Sequence, residues 1–136
     1  MRKYYLGTNI CVEFLRGRNQ HVSEKIKSFP PSDIKVPLIV VAELVAGAFK
    51  SVKREKNLGE IKYFYENFEI VPFEFYDVFT YGKIRAGLEL KGQKIGTNDT
   101  IIAAVVLSRN GILVTNNVKE FSRVENLIIE DWTCSS

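Results

Sequence analysis

Residues 94–111 read KIGTNDTIIAAVVLSRNG, and one acidic residue, Asp99, stands at the entrance of an otherwise neutral helical pattern. Thr97 or Asn98 is placed to cap the helix, and Ile101, Ile102, Val105 and Val106 give it an apolar body. A short helix this apolar belongs against the middle of a sheet. The helix dipole favours a carboxylate in the first turn, but a buried one needs a partner, which a metal cation or a group of amides could supply.

Working outward, turn and cap signals divide the rest into alternating strands and helices. Strands are predicted at 3–7, 34–39, 69–73, 112–115 and 127–129. Helices are predicted from Thr8 or Asn9 to Gly17, then at 21–28, 40–51, 53–68 and 75–91, the last with Val78, Phe79, Ile84 and Leu88 inward. Pro37 lacks an amide donor, so it marks a sheet edge or a strand end. This alternation predicts one domain over residues 1–136, a three-layer α/β/α sandwich with a mostly parallel central sheet. Ligands of such sheets gather beyond the carboxyl ends of the strands. Gly7-Thr8-Asn9, Glu43, Asp99 and Asn116-Asn117 all fall near those junctions.

Composition narrows the function classes. Apolar residues make up 46% and charged residues 26%, with no apolar run long enough for a transmembrane helix and no signal-peptide pattern in MRKYYL. Cys11 and Cys134 have no metal-like spacing and suit a reducing compartment, so a soluble, cytoplasmic protein is expected. The net charge of +3 permits a polyanionic substrate without requiring one. The single histidine, His21, stands among polar residues and reads as a surface residue, which argues against a histidine triad or a polyhistidine zinc site. No glycine-rich phosphate loop is present, and the basic group Lys50, Lys53, Arg54 and Lys56 reads as a solvated helix junction.

Hard cations such as magnesium and manganese select carboxylate and amide oxygens. Glu43 and Asp99 are of that type, and Asn117 can add an oxygen or hold a water. Taken singly, each has a plainer reading: Asp99 as a helix N-terminal acid, Glu43 as a solvated helix residue, Asn116-Asn117 as a turn and Thr115 as a β-branched strand end.

The segments YLGTNICVEFLRGR, VVAELVAGAFKS, YGKIRAGLELKGQKIGTNDTIIAA and LVTNNVKEFSRV, followed by Trp132, occur in the order and spacing of the PIN-domain ribonucleases. In these motifs the chain resembles the VapC toxins of type II toxin–antitoxin systems over nearly its whole length. The resemblance implies a homodimer, a cognate VapB-type antitoxin that mediates any DNA contact, and Mg2+- or Mn2+-dependent endonucleolytic cleavage of RNA. It carries the acidic site to Glu43, Asp99 and Asn117, a small hydroxyl position to Thr115, and supporting positions to Asn9 and Glu120. The family's opening motif has aspartate immediately before Thr-Asn, where this chain has Gly7. Without that oxygen ligand, the expected toxin is catalytically impaired, and the alternative is an inactive module that still pairs with an antitoxin.

Overall fold

A computed structural model describes residues 2–134. Five short strands, β1 (Tyr4–Leu6), β2 (Ile34–Pro37), β3 (Glu69–Val71), β4 (Ile112–Val114) and β5 (Ile128–Glu130), form one sheet in the order β3-β2-β1-β4-β5. Every pairing is parallel. The helices are α1 (Thr8–Arg16), α2 (Gln20–Lys27), α3 (Leu38–Lys50), α4 (Arg54–Tyr65), α5 (Asp77–Leu90), α6 (Thr97–Ser108) and α7 (Val118–Phe121).

The chain steps outward from β1 to β2 to β3, then returns to place β4 on the other side of β1. Right-handed crossovers therefore put α1–α4 on one face and α5–α7 on the other, giving the expected three layers. The crevice between β1 and β4 is the point where the strand order reverses. Leu6 is in register with Val114, the Gly7 amide donates to the Val114 carbonyl at 2.9 Å, and the two strand ends lie side by side.

The core explains the α6 sequence. Ile102, Ala103, Ala104, Val105 and Val106 are all buried, while Ile101 is only partly covered. Burying an aliphatic side chain of this size contributes about 1.5–3 kcal/mol, so the helix is held firmly against the sheet. Beneath it, Gly111 makes close packing possible: a β-carbon there would stand 2.3 Å from Cε1 of Tyr5.

Several boundaries differ from the sequence reading. The caps of α1 and α6 are Gly7 and Gly96, one residue or more earlier than predicted, and neither makes a side-chain capping bond. Pro37 marks a strand end in an interior strand: β2 lies between β1 and β3, and Pro37 turns directly into α3. Val78 and Phe79 are exposed, Phe79 by 78%, and the core residues of α5 are Asp77, Ile84 and Leu88. Periodicity counts apolar positions, but it does not see that Asp77 takes the inward place through polar partners.

Those partners form a buried clamp between the start of α5 and the end of α6. The fully buried Asp77 accepts from Arg109 Nη1 at 2.8 Å, from the Glu74 amide at 2.9 Å and from the Ser108 hydroxyl. Arg109 also donates to the Pro72 carbonyl at 3.3 Å, and its guanidinium lies 4.8 Å from the Tyr76 ring centroid. Removing one partner strands the other charge in a low-dielectric setting. Asp77→Ala is therefore expected to cost about 3–5 kcal/mol in urea unfolding; an unchanged midpoint would show that the clamp contributes nothing.

Candidate functional site

Four segments meet beyond the carboxyl ends of β1 and β4. Gly7 follows β1, Thr115 follows β4, Asp99 is the third residue of α6, and Glu43 lies in the second turn of α3. Glu43 sits beside the core positions Val40 and Leu44, which hold its backbone against the sheet. Its carboxylate is gripped from two sides: it accepts from the Thr8 hydroxyl through Oε1 and from Asn98 Nδ2 through Oε2 at 3.2 Å. Because Asn98 precedes Asp99 directly, the second bond joins the Glu43 and Asp99 segments.

The electrostatics agree with this placement. Burial, reinforced by the negative charges of Glu120 and Glu43, holds the half-buried Asp99 carboxyl above the usual carboxylate range. Acids on α3 and α7 thus both press on the Asp99 carboxyl at the start of α6. Thr115 is buried, and its hydroxyl accepts from the Asn117 amide at 3.0 Å, turning the chain out of β4 into α7. The Asn117 side-chain amide has no hydrogen-bond partner among the described residues. Asn9 reaches the neighbouring turn, with Nδ2 3.4 Å from Asn116 Oδ1.

Glu43, Asp99, Glu120, Thr115 and Asn117 are brought to one end of the sheet, with Asn9 at the exposed rim. The sequence places Thr8 and Asn116 near the ligand junctions and offers Asn98 as a helix cap, but none of the three stands out there as a residue that contacts the acidic site. Thr8 and Asn98 pass for helix caps, yet their side chains bond a carboxylate elsewhere in the fold. Their position directly beside Gly7 or Asp99 was the available signal, but only the crossing of α3 against α1 and α6 gives it meaning.

Position 7 has the right backbone for a side chain. Gly7 has φ −77° and ψ 168°, an extended conformation open to any residue. A β-carbon there would lie 3.7 Å from Thr115 Cβ and 3.8 Å from Thr115 Oγ1, in ordinary contact, and 3.1 Å from the Val114 carbonyl, a tight approach needing a small shift. Neither turn geometry nor crowding requires glycine. Among the described residues, no three acidic, histidine or cysteine side chains gather closely enough to hold a metal ion.

A PIN-domain family model matches residues 4–127. The chain belongs to the PIN-domain family. Within it the VapC group is shown by two relatives. Ribonuclease VapC2 of Rickettsia felis is 40% identical over 130 residues, spanning 95% of this chain and 97% of the relative. The tRNA(fMet)-specific endonuclease VapC of Salmonella typhimurium is 34% identical over 132 residues, spanning 97% and 99%. Solved structures agree: VapBC2 from Rickettsia felis bound to a promoter DNA fragment matches with a TM-score of 0.89 and 41% identity over 95% of this chain and 98% of that one. DNA-bound VapBC from Salmonella typhimurium gives 0.91 and 34% over 97% and 99%. The parallel α/β sheet is thus the PIN fold.

The Asp99 shift has a stability consequence. A native carboxyl raised above its unfolded value binds its proton more tightly when folded, so stability falls as pH rises through the interval between the two values. The cost is fully present above the native value and vanishes below the unfolded one. In metal-free buffer at about pH 7, Asp99→Asn is expected to raise Tm, with the gain disappearing at about pH 3; a Tm that falls at neutral pH would contradict the crowded-carboxylate geometry.

Proposed function

We propose that this chain is the toxin component of a type II toxin–antitoxin pair, built for endonucleolytic hydrolysis of RNA and impaired by Gly7. The convergence of Glu43 and Asp99 beyond β1 and β4 carries this reading. In kind, the donors suit a hard divalent cation, magnesium or manganese: carboxylates on Glu43 and Asp99, with Glu120 and the Asn117 amide beside them. In number they fall short of a three-acid set, and an oxygen ligand at position 7, where Gly7 has none, would complete it.

A divalent ion bound there would polarise a phosphodiester and assist ionisation of a water. The chain's own groups prepare that place. Thr8 and Asn98 orient Glu43, the negative charges of Glu120 and Glu43 beside Asp99 favour a cation there, and Thr115 sets the turn that presents Asn117. An aspartate at position 7 would project from the end of β1 toward Thr115 and supply the missing charge.

Gly7→Asp is expected to raise metal-dependent RNA cleavage by several orders of magnitude, while Gly7→Ala, which adds bulk without charge, leaves it low. A folded Gly7→Asp protein that is inert with magnesium and manganese would overturn the nuclease reading. Gly7 also supports a second reading, an inactive homologue that retains antitoxin pairing. Robust cleavage by the unaltered chain, lost in Asp99→Ala, would rule that out.

For the antitoxin we propose the apolar groove of about 900 Å³ between α1, α2 and α4, lined by Phe14, Leu15, Ile26, Phe29, Tyr63 and Phe68 among others. Leu15 and Glu60 also line a smaller cleft reached by Thr8 and Glu43, so an occupant of the groove lies on a path to the site. A second copy of the chain is assigned to the opposite side, where Phe75, Tyr76 and Phe79 are 81%, 53% and 78% exposed around the start of α5. On co-expression with the cognate antitoxin, Tyr63→Glu is expected to release it. Phe79→Glu should retain it and halve the number of toxin copies per assembly by light scattering. Retention by the first variant, or an unchanged mass in the second, would reject the corresponding surface.

A further inference from the structure

Beside Asp99 a small cleft of about 210 Å³ opens between α5 and the loop at 91–96, walled by Tyr81, Arg85, Lys94, Gly96 and Thr97. It adjoins the candidate site directly, since a β-carbon on Gly96 would stand 3.7 Å from Asp99 Oδ2. It is smaller than the roughly 300 Å³ at which sites for drug-sized ligands begin, so it has room for one flat ring or one phosphate group.

Its chemistry is that of a nucleotide. Arg85 donates from Nη1 to the Tyr81 hydroxyl at 3.1 Å and from Nε to Glu89 at 3.2 Å, which ties the exposed guanidinium to the tyrosine's hydroxyl end. Glu89 offsets part of its charge, but Arg85 Nη2 has no partner among the described residues. The Lys94 ammonium forms no ion pair among the described residues either. Its loop is tied down through its carbonyl, which accepts from Arg123 Nη1 at 3.3 Å. Tyr81 is itself propped by Phe73, whose ring centroid lies 5.9 Å away in an edge-on arrangement. An anchored aromatic ring with two adjacent cations suits a base to stack and a phosphate to neutralise.

We propose that this cleft is the subsite for the RNA nucleotide next to the scissile phosphate, with Arg85 and Lys94 taking its backbone phosphate and Tyr81 supporting its base. The proposal rests on the nuclease reading and concerns substrate positioning. Because the chain carries Gly7, binding can be measured on the protein as it stands, apart from cleavage.

The test is fluorescence anisotropy with a short labelled single-stranded RNA across a salt series. The exposed-residue double variant Arg85→Gln/Lys94→Gln is expected to bind about tenfold more weakly. The slope of log affinity against log salt should fall by roughly 0.7, the value for one phosphate of a single strand. Tyr81→Leu should weaken binding several-fold, whereas Tyr81→Phe, which keeps the ring, should bind as the parent does. Parent-like affinity and slope in the double variant, with an unchanged melting curve, would overturn the subsite. So would equal losses in Tyr81→Leu and Tyr81→Phe, which would assign the tyrosine to holding Arg85. Failure here leaves the Gly7→Asp cleavage result untouched. Absence of any RNA binding by the parent would overturn the subsite, and it is the inert Gly7→Asp protein that would bring down the nuclease reading.

Discussion

The packing of α6 against the sheet is the constraint on which the rest depends. Its buried run from Ile102 to Val106 leaves the helix little freedom to slide or rotate, and the two alanines at its centre permit close approach. Once that body is seated, its first turn must lie at the mouth between β1 and β4, and Asp99 goes with it. The buried Asp77–Arg109 clamp secures the other end of the same helix. An acid in an unfavourable environment is therefore held in place by apolar contacts elsewhere in the helix.

The hydrogen-bond pattern around the carboxylates follows from the same geometry. Glu43 has two donors and is fixed in orientation, whereas Asp99 is partly desolvated and repelled by Glu43 and Glu120. Two acids separated by more than fifty residues thus stand in different environments at the same mouth. Gly7 stands opposite them on the strand end that could complete the set. Its backbone is extended, and a β-carbon there would meet only one tight neighbour, the Val114 carbonyl.

Two apolar surfaces lie away from this acidic mouth. The groove of α1, α2 and α4 gathers aromatic rings from helices on one face of the sheet, while the exposed phenylalanines of the β3–α5 connection and α5 lie beyond the other face's core. Single exposed apolar side chains are common on protein surfaces, whereas contiguous apolar patches mark sites of association.

The sequence by itself determined the alternation of elements and the parallel three-layer architecture, and it marked Glu43, Asp99, Asn117 and the glycine at position 7 as candidates. These depend on local periodicity, turn chemistry and ordered motifs, which are properties of neighbouring residues. It left the inward face of α5 misread, because a polar network can outweigh apolar spacing, and it took Thr8 and Asn98 for caps. Only the tertiary structure decided that those two side chains cross to Glu43, that Glu120 presses on Asp99, and that a cleft lined by Tyr81 and Arg85 opens beside them. Such relations join residues distant along the chain, and they exist only after the crossovers have brought different strand ends to one side of the sheet.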